Sequence, residues 1–220
     1  MKRAVFVAVV VAFISANLSA GPTAIGFSSH QNMGWTAYKT GGGTYEISFD
    51  NIVVDTSDPA SLPLVGDELT LPTMQMNVLV LDPVFTILIL TPLAPPTLSI
   101  IDDSTLSTVM QADLGDGWTF AIGTVYASYI VPQNDLSNVS GTAGYSAAID
   151  QLVAASASGQ PIDLFFGGTS AVGLYSLLSG GTDLISGDIN GAITVIPAPA
   201  ALILAGIGAS MVAGLRRRIH

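Results

Sequence analysis

Pro83 divides the most apolar internal stretch of the chain, Asn77–Thr91 (NVLVLDPVFTILILT), and no other single residue constrains the fold as strongly. Proline lacks the N–H that a helix or strand ladder requires, so it breaks helices and is confined to strand ends, edges or bulges. With Asp82 beside it and β-branched residues on both sides, the stretch is unsuited to a membrane-crossing helix. It predicts two strands, Thr73–Leu81 and Val84–Thr91. The same pattern recurs through the middle of the chain. Thr44–Asp55 alternates Tyr45, Ile47 and Phe49 against Glu46, Ser48 and Asp50, the period of a half-buried strand, entered from Gly41-Gly42-Gly43. Thr56–Pro63 reads as a loop. Further strands are expected at Thr97–Ile101, at Trp118–Val131 (with a slip at Gly123 and Pro132 as the stop), at Pro161–Gly167 and at Gly187–Ile196. Asp113–Gly117 is a reversal.

One segment changes period. Tyr145, Ile149, Leu152 and Val153 recur at helical spacing within Gly144–Ser158, and Gly159 follows as a stop. Thr169–Leu178 is a candidate for a second short helix, ended by Gly180-Gly181. About seven or eight short strands with one or two helices predict a mainly β domain, β-sandwich or jelly-roll-like.

The two ends of the chain differ from this middle. Met1–Ala20 has a basic start at Lys2 and Arg3, an apolar run from Ala4 to Ile14, and a small, polar finish. That is the layout of a secretory signal peptide, with cleavage expected after Ala20 and Ala16 as the alternative. At the other end Ile196–Leu215 carries no charge and is followed by Arg216-Arg217-Arg218. As a helix it would span roughly 30 Å, enough for a bilayer core, with the helix proper over about 200–215. The arginines orient it: the positive-inside rule places them in the cytoplasm and residues 21–196 outside.

Dividing the chain this way sharpens its charge. The middle holds Lys39 alone against all 16 acidic residues, a formal charge of −15 compared with −10 for the whole chain. Such a domain repels phosphate backbones and anionic headgroups, which excludes nucleic acid as a partner. There is no cysteine, so disulfides, thiolate zinc sites and thiol catalysis are excluded and the exported domain must rest on its core.

Catalytic signatures are sparse, and no enzyme activity is expected. His30 is the one histidine of the middle and lies between Ser29 and Gln31, as solvated loop histidines do; His220 belongs to the basic tail. The acidic pairs Asp67-Glu68, Asp102-Asp103 and Asp113/Asp116 are candidates for the two carboxyls of a glycan hydrolase. Beside Gly, Ser and Asn they read more simply as turn residues. For calcium the best fragment is Asp188-Ile189-Asn190-Gly191, which matches the opening of an EF-hand-type loop. Ala192 follows and no Glu closes the loop, so the fragment reads as a turn before the last strand. Asp188 and Asn190 are the only metal candidates, and no other cofactor is expected. Asn138-Val139-Ser140 matches a glycosylation sequon. Trp35, Tyr38, Trp118, Tyr126 and Tyr129 are candidates either for sugar stacking or for the core.

Pro197-Ala198-Pro199, the Gly- and Ala-rich span Ala200–Leu215 and Arg216-Arg217-Arg218 together resemble the PEP-CTERM sorting signal of Gram-negative bacteria. That family joins a signal peptide to a variable ectodomain and ends in Pro-Glu-Pro, a membrane helix and an arginine cluster. Here Ala198 stands where the usual motif has Glu. The resemblance implies export, recognition of the tail by an exosortase-like membrane protease near Pro197–Pro199, and delivery to the cell surface or the exopolysaccharide matrix. Either the tail is removed or it stays as an anchor. The resemblance implies nothing about the ectodomain, for which a non-enzymatic structural or adhesive role is the leading expectation. The alternatives are a secreted carboxylate-dependent glycan hydrolase and a calcium-dependent glycan-binding module. Gly206, Ser210 and Gly214 give the tail helix a small-residue face suited to close helix approach.

Overall fold

A computed structural model describes residues 23–29, 33–55, 62–82, 85–93, 95–114, 119–124 and 128–196. The signal-like segment with Ala20, the sorting tail with Pro197–Pro199 and Arg216–Arg218, and His30, Pro83, Asp116, Trp118 and Tyr126 lie outside these residues. Among the described residues no helix is long and apolar enough to cross a membrane.

The chain is mainly β, as its alternation predicts. Among the described residues thirteen strands follow in order: β1 (Thr23–Ser29), β2 (Trp35–Lys39), β3 (Tyr45–Phe49), β4 (Ile52–Val54), β5 (Glu68–Thr70), β6 (Met74–Leu81), β7 (Phe85–Pro92), β8 (Thr97–Asp102), β9 (Ser107–Leu114), β10 (Thr119–Thr124), β11 (Ser128–Gly141), β12 (Ile162–Ser170) and β13 (Leu184–Val195). Helix α1 (Ala147–Ala157) lies between β11 and β12, and α2 (Leu174–Leu178) between β12 and β13. The predicted strands over 73–81, 84–91, 97–101 and 161–167 and the helix over 144–158 all form, with ends moved by a few residues. The second helix is shorter than expected, because Thr169 and Ser170 belong to β12.

All pairings are antiparallel, and they close rather than stack. The strands β1, β4, β5, β8, β9, β11, β12 and β13 pair in that order and return to β1, an eight-strand barrel. The other five, β2, β3, β6, β7 and β10, leave β13 on the same side as β1 and rejoin β11 beside β9. Thus β11, β12 and β13 form a wall shared by the barrel and by a second, five-strand wing. Closure gives each of the eight barrel strands a neighbour on both sides, whereas an open pair of sheets would leave edges to be covered otherwise.

Two strands of the wall change partner part-way, and the sequence shows how. In β13, Leu184–Gly187 pair with β2 and Asn190–Thr194 pair with β1, so the switch falls at Asp188. In β11, Tyr129 and Ile130 pair with β10 and Leu136–Gly141 with β9. Pro132 lies in the register irregularity between Val131 and Asn134. A proline that cannot donate to the ladder is accommodated at such a bulge, so the strand continues to Gly141 where the sequence predicts an end. Gly123, where a slip is expected, pairs in regular register with Tyr129 and Thr86. A third crossing interrupts the predicted strand Thr44–Asp55. Asn51 adopts φ 53°, a left-handed conformation that asparagine tolerates, and the chain passes from β3 in the wing to β4 in the barrel.

A single hydrophobic core runs through both parts. Ile149 and Leu152 of α1 are fully buried and the helix packs on β11 and β1; Leu177 of α2 is buried against the wing. Phe166 of β12 sits at the join. Its ring meets Phe49 of β3 edge-to-face, with centroids 5.6 Å apart.

Candidate functional site

Four of the residues singled out above meet at one end of the barrel. Asp67 immediately precedes β5, Asp102 ends β8, Asp103 opens the turn to β9, and Tyr145 precedes α1. The helix is fixed locally by Ser146, whose Oγ accepts from the Ile149 N–H at 3.1 Å, and by Asp150, which accepts from the Gly144 N–H at 3.1 Å. That places the Tyr145 ring over the barrel end, where its hydroxyl donates to Asp67 Oδ2 at 3.0 Å.

The two carboxyls have opposite environments. Asp67 is only 7 % exposed. Burial pushes its pKa up, and the nearby charges of Asp102 and Asp103 add to this, against the hydrogen bonds from Tyr145 and from the Asp103 backbone. Asp102 is held down to about 2 by the hydroxyls and N–H groups of its own turn. Its Oδ1 accepts from Ser104 Oγ at 2.6 Å and the Ser104 N–H at 2.8 Å, and its Oδ2 accepts from Thr105 Oγ1 at 2.9 Å. Burial, then the Asp67 carboxylate, push the Tyr145 phenol up, so it stays a donor. Chemically the group ties β5, the β8–β9 turn and the start of α1 together. It also contains the pattern of an acid–base pair, one carboxyl kept protonated more readily and one kept ionised.

The other candidates do not join this group. Glu68 is exposed on β5. Asp113 accepts from Asn138 Nδ2 at 2.8 Å, so the sequon asparagine is engaged in a side-chain bond; it is exposed, with φ 51°. Trp35 is a core residue whose indole N–H donates to the Asp188 carbonyl at 2.8 Å. Tyr38 is half-buried and donates to Glu46 Oε2 at 3.0 Å.

Asp188-Ile189-Asn190-Gly191 is not a turn: it lies inside β13. Asp188 Oδ1 accepts from Ser29 Oγ at 3.3 Å, and Ser29 Oγ in turn accepts from the Ile189 N–H at 3.2 Å. Gly191, which suggests a turn, and Gly187 before it both serve close packing. A Cβ at Gly187 would lie 1.7 Å from the Thr169 carbonyl oxygen, and one at Gly191 2.3 Å from the Phe165 carbonyl oxygen. Among the described residues no group of three or more His, Cys, Asp or Glu side chains converges as a metal site.

Sequence reasoning missed Tyr145 as a partner of acids, because it reads as one more apolar residue of the helix stripe. It also missed that Asp67 and Asp102, far apart in sequence, share one barrel end. Comparison with known protein families, curated proteins and solved structures finds no match.

Proposed function

We propose that this chain is an exported cell-surface or exopolysaccharide-matrix protein with a structural or adhesive role, delivered by a signal peptide cleaved after Ala20 and processed or anchored through residues 197–220. The observation that carries the proposal is where the described strands begin and end. Among the described residues the first strand begins at Thr23 and the last ends at Val195, and Thr23 is paired with Thr194. The points at which the two segments with export features join the barrel are therefore neighbours. Ile196 donates its N–H to the Pro161 carbonyl at 2.9 Å, and Pro197, which has no N–H, follows it in the sequence. A tail attached outside β13 can be cut near Pro197–Pro199 without removing a strand from the wall. With Arg216–Arg218 held inside the cell, the barrel stands outside with this end toward the membrane. Intact-mass measurement of the surface-bound or released protein from its host tests this. The expected species runs from Gly21 to near Pro199; a mass retaining the leader, or Leu215 and the arginines after surface delivery, refutes the corresponding cleavage.

A second reading, a secreted glycan hydrolase, draws on the Asp67–Asp102 pair with its opposed pKa shifts. Under it, Asp67→Asn and Asp102→Asn would each abolish polysaccharide cleavage by the folded protein. Absence of cleavage by the unaltered protein across a polysaccharide panel would count against it.

A further inference from the structure

The strand from which the C-terminal tail continues, β13, is held along both of its sides. On one side it pairs with β12 in unbroken register, nine pairs from Ile162 with Val195 to Ser170 with Gly187. On the other, β1 holds Asn190–Thr194 and β2 holds Leu184–Gly187. Side chains bridge the change of partner between them. The Trp35 indole N–H donates to the Asp188 carbonyl at 2.8 Å, and Ser29 Oγ accepts from the Ile189 N–H at 3.2 Å. At the far end of the β12 ladder, Ser170 Oγ donates to the Ser186 carbonyl at 2.6 Å.

This arrangement resists a pull in one direction above others. Antiparallel ladder bonds run perpendicular to the strands. A pull along the β13 axis meets them in shear and loads the nine pairs together, whereas parting β13 from β12 sideways opens them one at a time. Sliding is also blocked sterically. The positions of Gly187 and Gly191 lie so close to the Thr169 and Phe165 carbonyl oxygens that a Cβ there would be 1.7 and 2.3 Å away. Drawing β13 toward its C-terminus by one, two or three residues would bring Asn190, Ile189 or Asp188 into the second slot and Ser186, Ile185 or Leu184 into the first. A one-residue slip would also turn Ile189 and Ile193 out of the core.

We infer that β13 is the strand through which the protein withstands tension applied at its C-terminus, sheared against β12 and locked by the two glycine slots. Its setting rests on the proposed attachment through residues 197–220. With that end held at the cell and the molecule pulled from its opposite end, force enters at Val195 and runs along the strand. A pull between Thr23 and Thr194, which are paired, would instead peel β1 away; signal cleavage after Ala20 leaves no tether on that side.

The cysteine-free sequence permits a direct test with optical tweezers on the full chain in mild detergent. One DNA handle is attached through Ala198→Cys and the other through a second cysteine. Val172→Cys, at a position 42 % exposed just beyond the Ser170 end of the ladder, loads β12 against β13 in shear. Gln160→Cys, at an exposed position beside the Ile162 end, peels the same two strands apart. At one loading rate the shear pair should rupture at a severalfold higher force than the peeling pair. Matching circular-dichroism melts establish that both pairs pull on the same fold. Ser170→Ala removes the bond to Ser186 and should lower the shear force while leaving the peeling peak unchanged, because peeling starts at Ile162 and Val195. Equal forces in the two directions, a stronger peeling pair, or a Ser170→Ala variant that lowers both forces alike or neither would overturn the inference. These forces are read on the strand itself, so the clamp can fail while the tail is still processed, and the reverse.

Discussion

Phe166 offers the strongest test of whether the barrel and the wing are one cooperative unit. It lies on the shared wall, is 1 % exposed, and touches Phe49 of the wing edge-to-face. On the barrel side the position of a Cβ on Gly191 would be 2.6 Å from the Phe27 ring and 2.7 Å from Phe166 Cβ, so both aromatics close on that glycine. Truncating a fully buried phenylalanine to alanine costs about 3–5 kcal/mol, from lost transfer energy plus the cavity left behind. Of this, about 0.5–1.5 kcal/mol belongs to the specific aromatic pair. Against a typical domain stability of about 5–15 kcal/mol, Phe166→Ala should lower the urea midpoint sharply while leaving the slope unchanged. Phe49→Ala and the double variant complete a cycle whose coupling energy should match the pair. Intrinsic fluorescence, with Trp35 in the wing, and far-ultraviolet circular dichroism should report the same midpoint in every variant. A cost below about 1 kcal/mol, or two separated transitions, would refute the shared core.

Tyr145→Phe keeps the ring but leaves Asp67 without its phenol donor, and should cost about 1–3 kcal/mol in chemical denaturation; an unchanged midpoint would show that the bond is dispensable. The carboxyls predict opposite pH effects. The raised Asp67 pKa stabilises the fold below the ordinary carboxylate range, and that contribution is lost as pH rises through the raised value. Asp67→Asn should therefore gain on the parent in thermal melting from acid to neutral pH. The lowered Asp102 pKa contributes stability above the ordinary range, lost as pH falls toward about 2, so Asp102→Asn should fall behind as pH rises. Flat differences for both would refute the assigned environments. Gly187→Ala should prevent or severely weaken folding, since its Cβ meets backbone rather than a movable side chain; soluble, normally melting protein would show that the wall can spread there.

Local physics was legible in the sequence. The alternation of Tyr45, Ile47 and Phe49 forms β3, the proline at 83 falls between β6 and β7, and the stripe of Ile149 and Leu152 buries one face of α1. Gly41–Gly43 also mark the β2–β3 turn, where Gly42 and Gly43 adopt φ 88° and 85°. Residues with two local roles misled. Gly187 and Gly191 punctuate a turn or permit close backbone approach, and only the neighbouring strand β12 selects the second. Pro132 ends a strand or bulges it, and the partners on either side decide which.

What the sequence determined by itself is the division of the chain: an acidic, cysteine-free β-rich middle between two apolar ends with basic flanks. Charge, hydropathy and period are properties of neighbours in the chain, so they need no fold to be read. Closure into a barrel with an attached wing and the meeting of Asp67, Asp102 and Tyr145 were decided by tertiary structure alone. Each depends on which strands pair across long separations, and an alternating strand carries the same pattern whichever neighbour it finds.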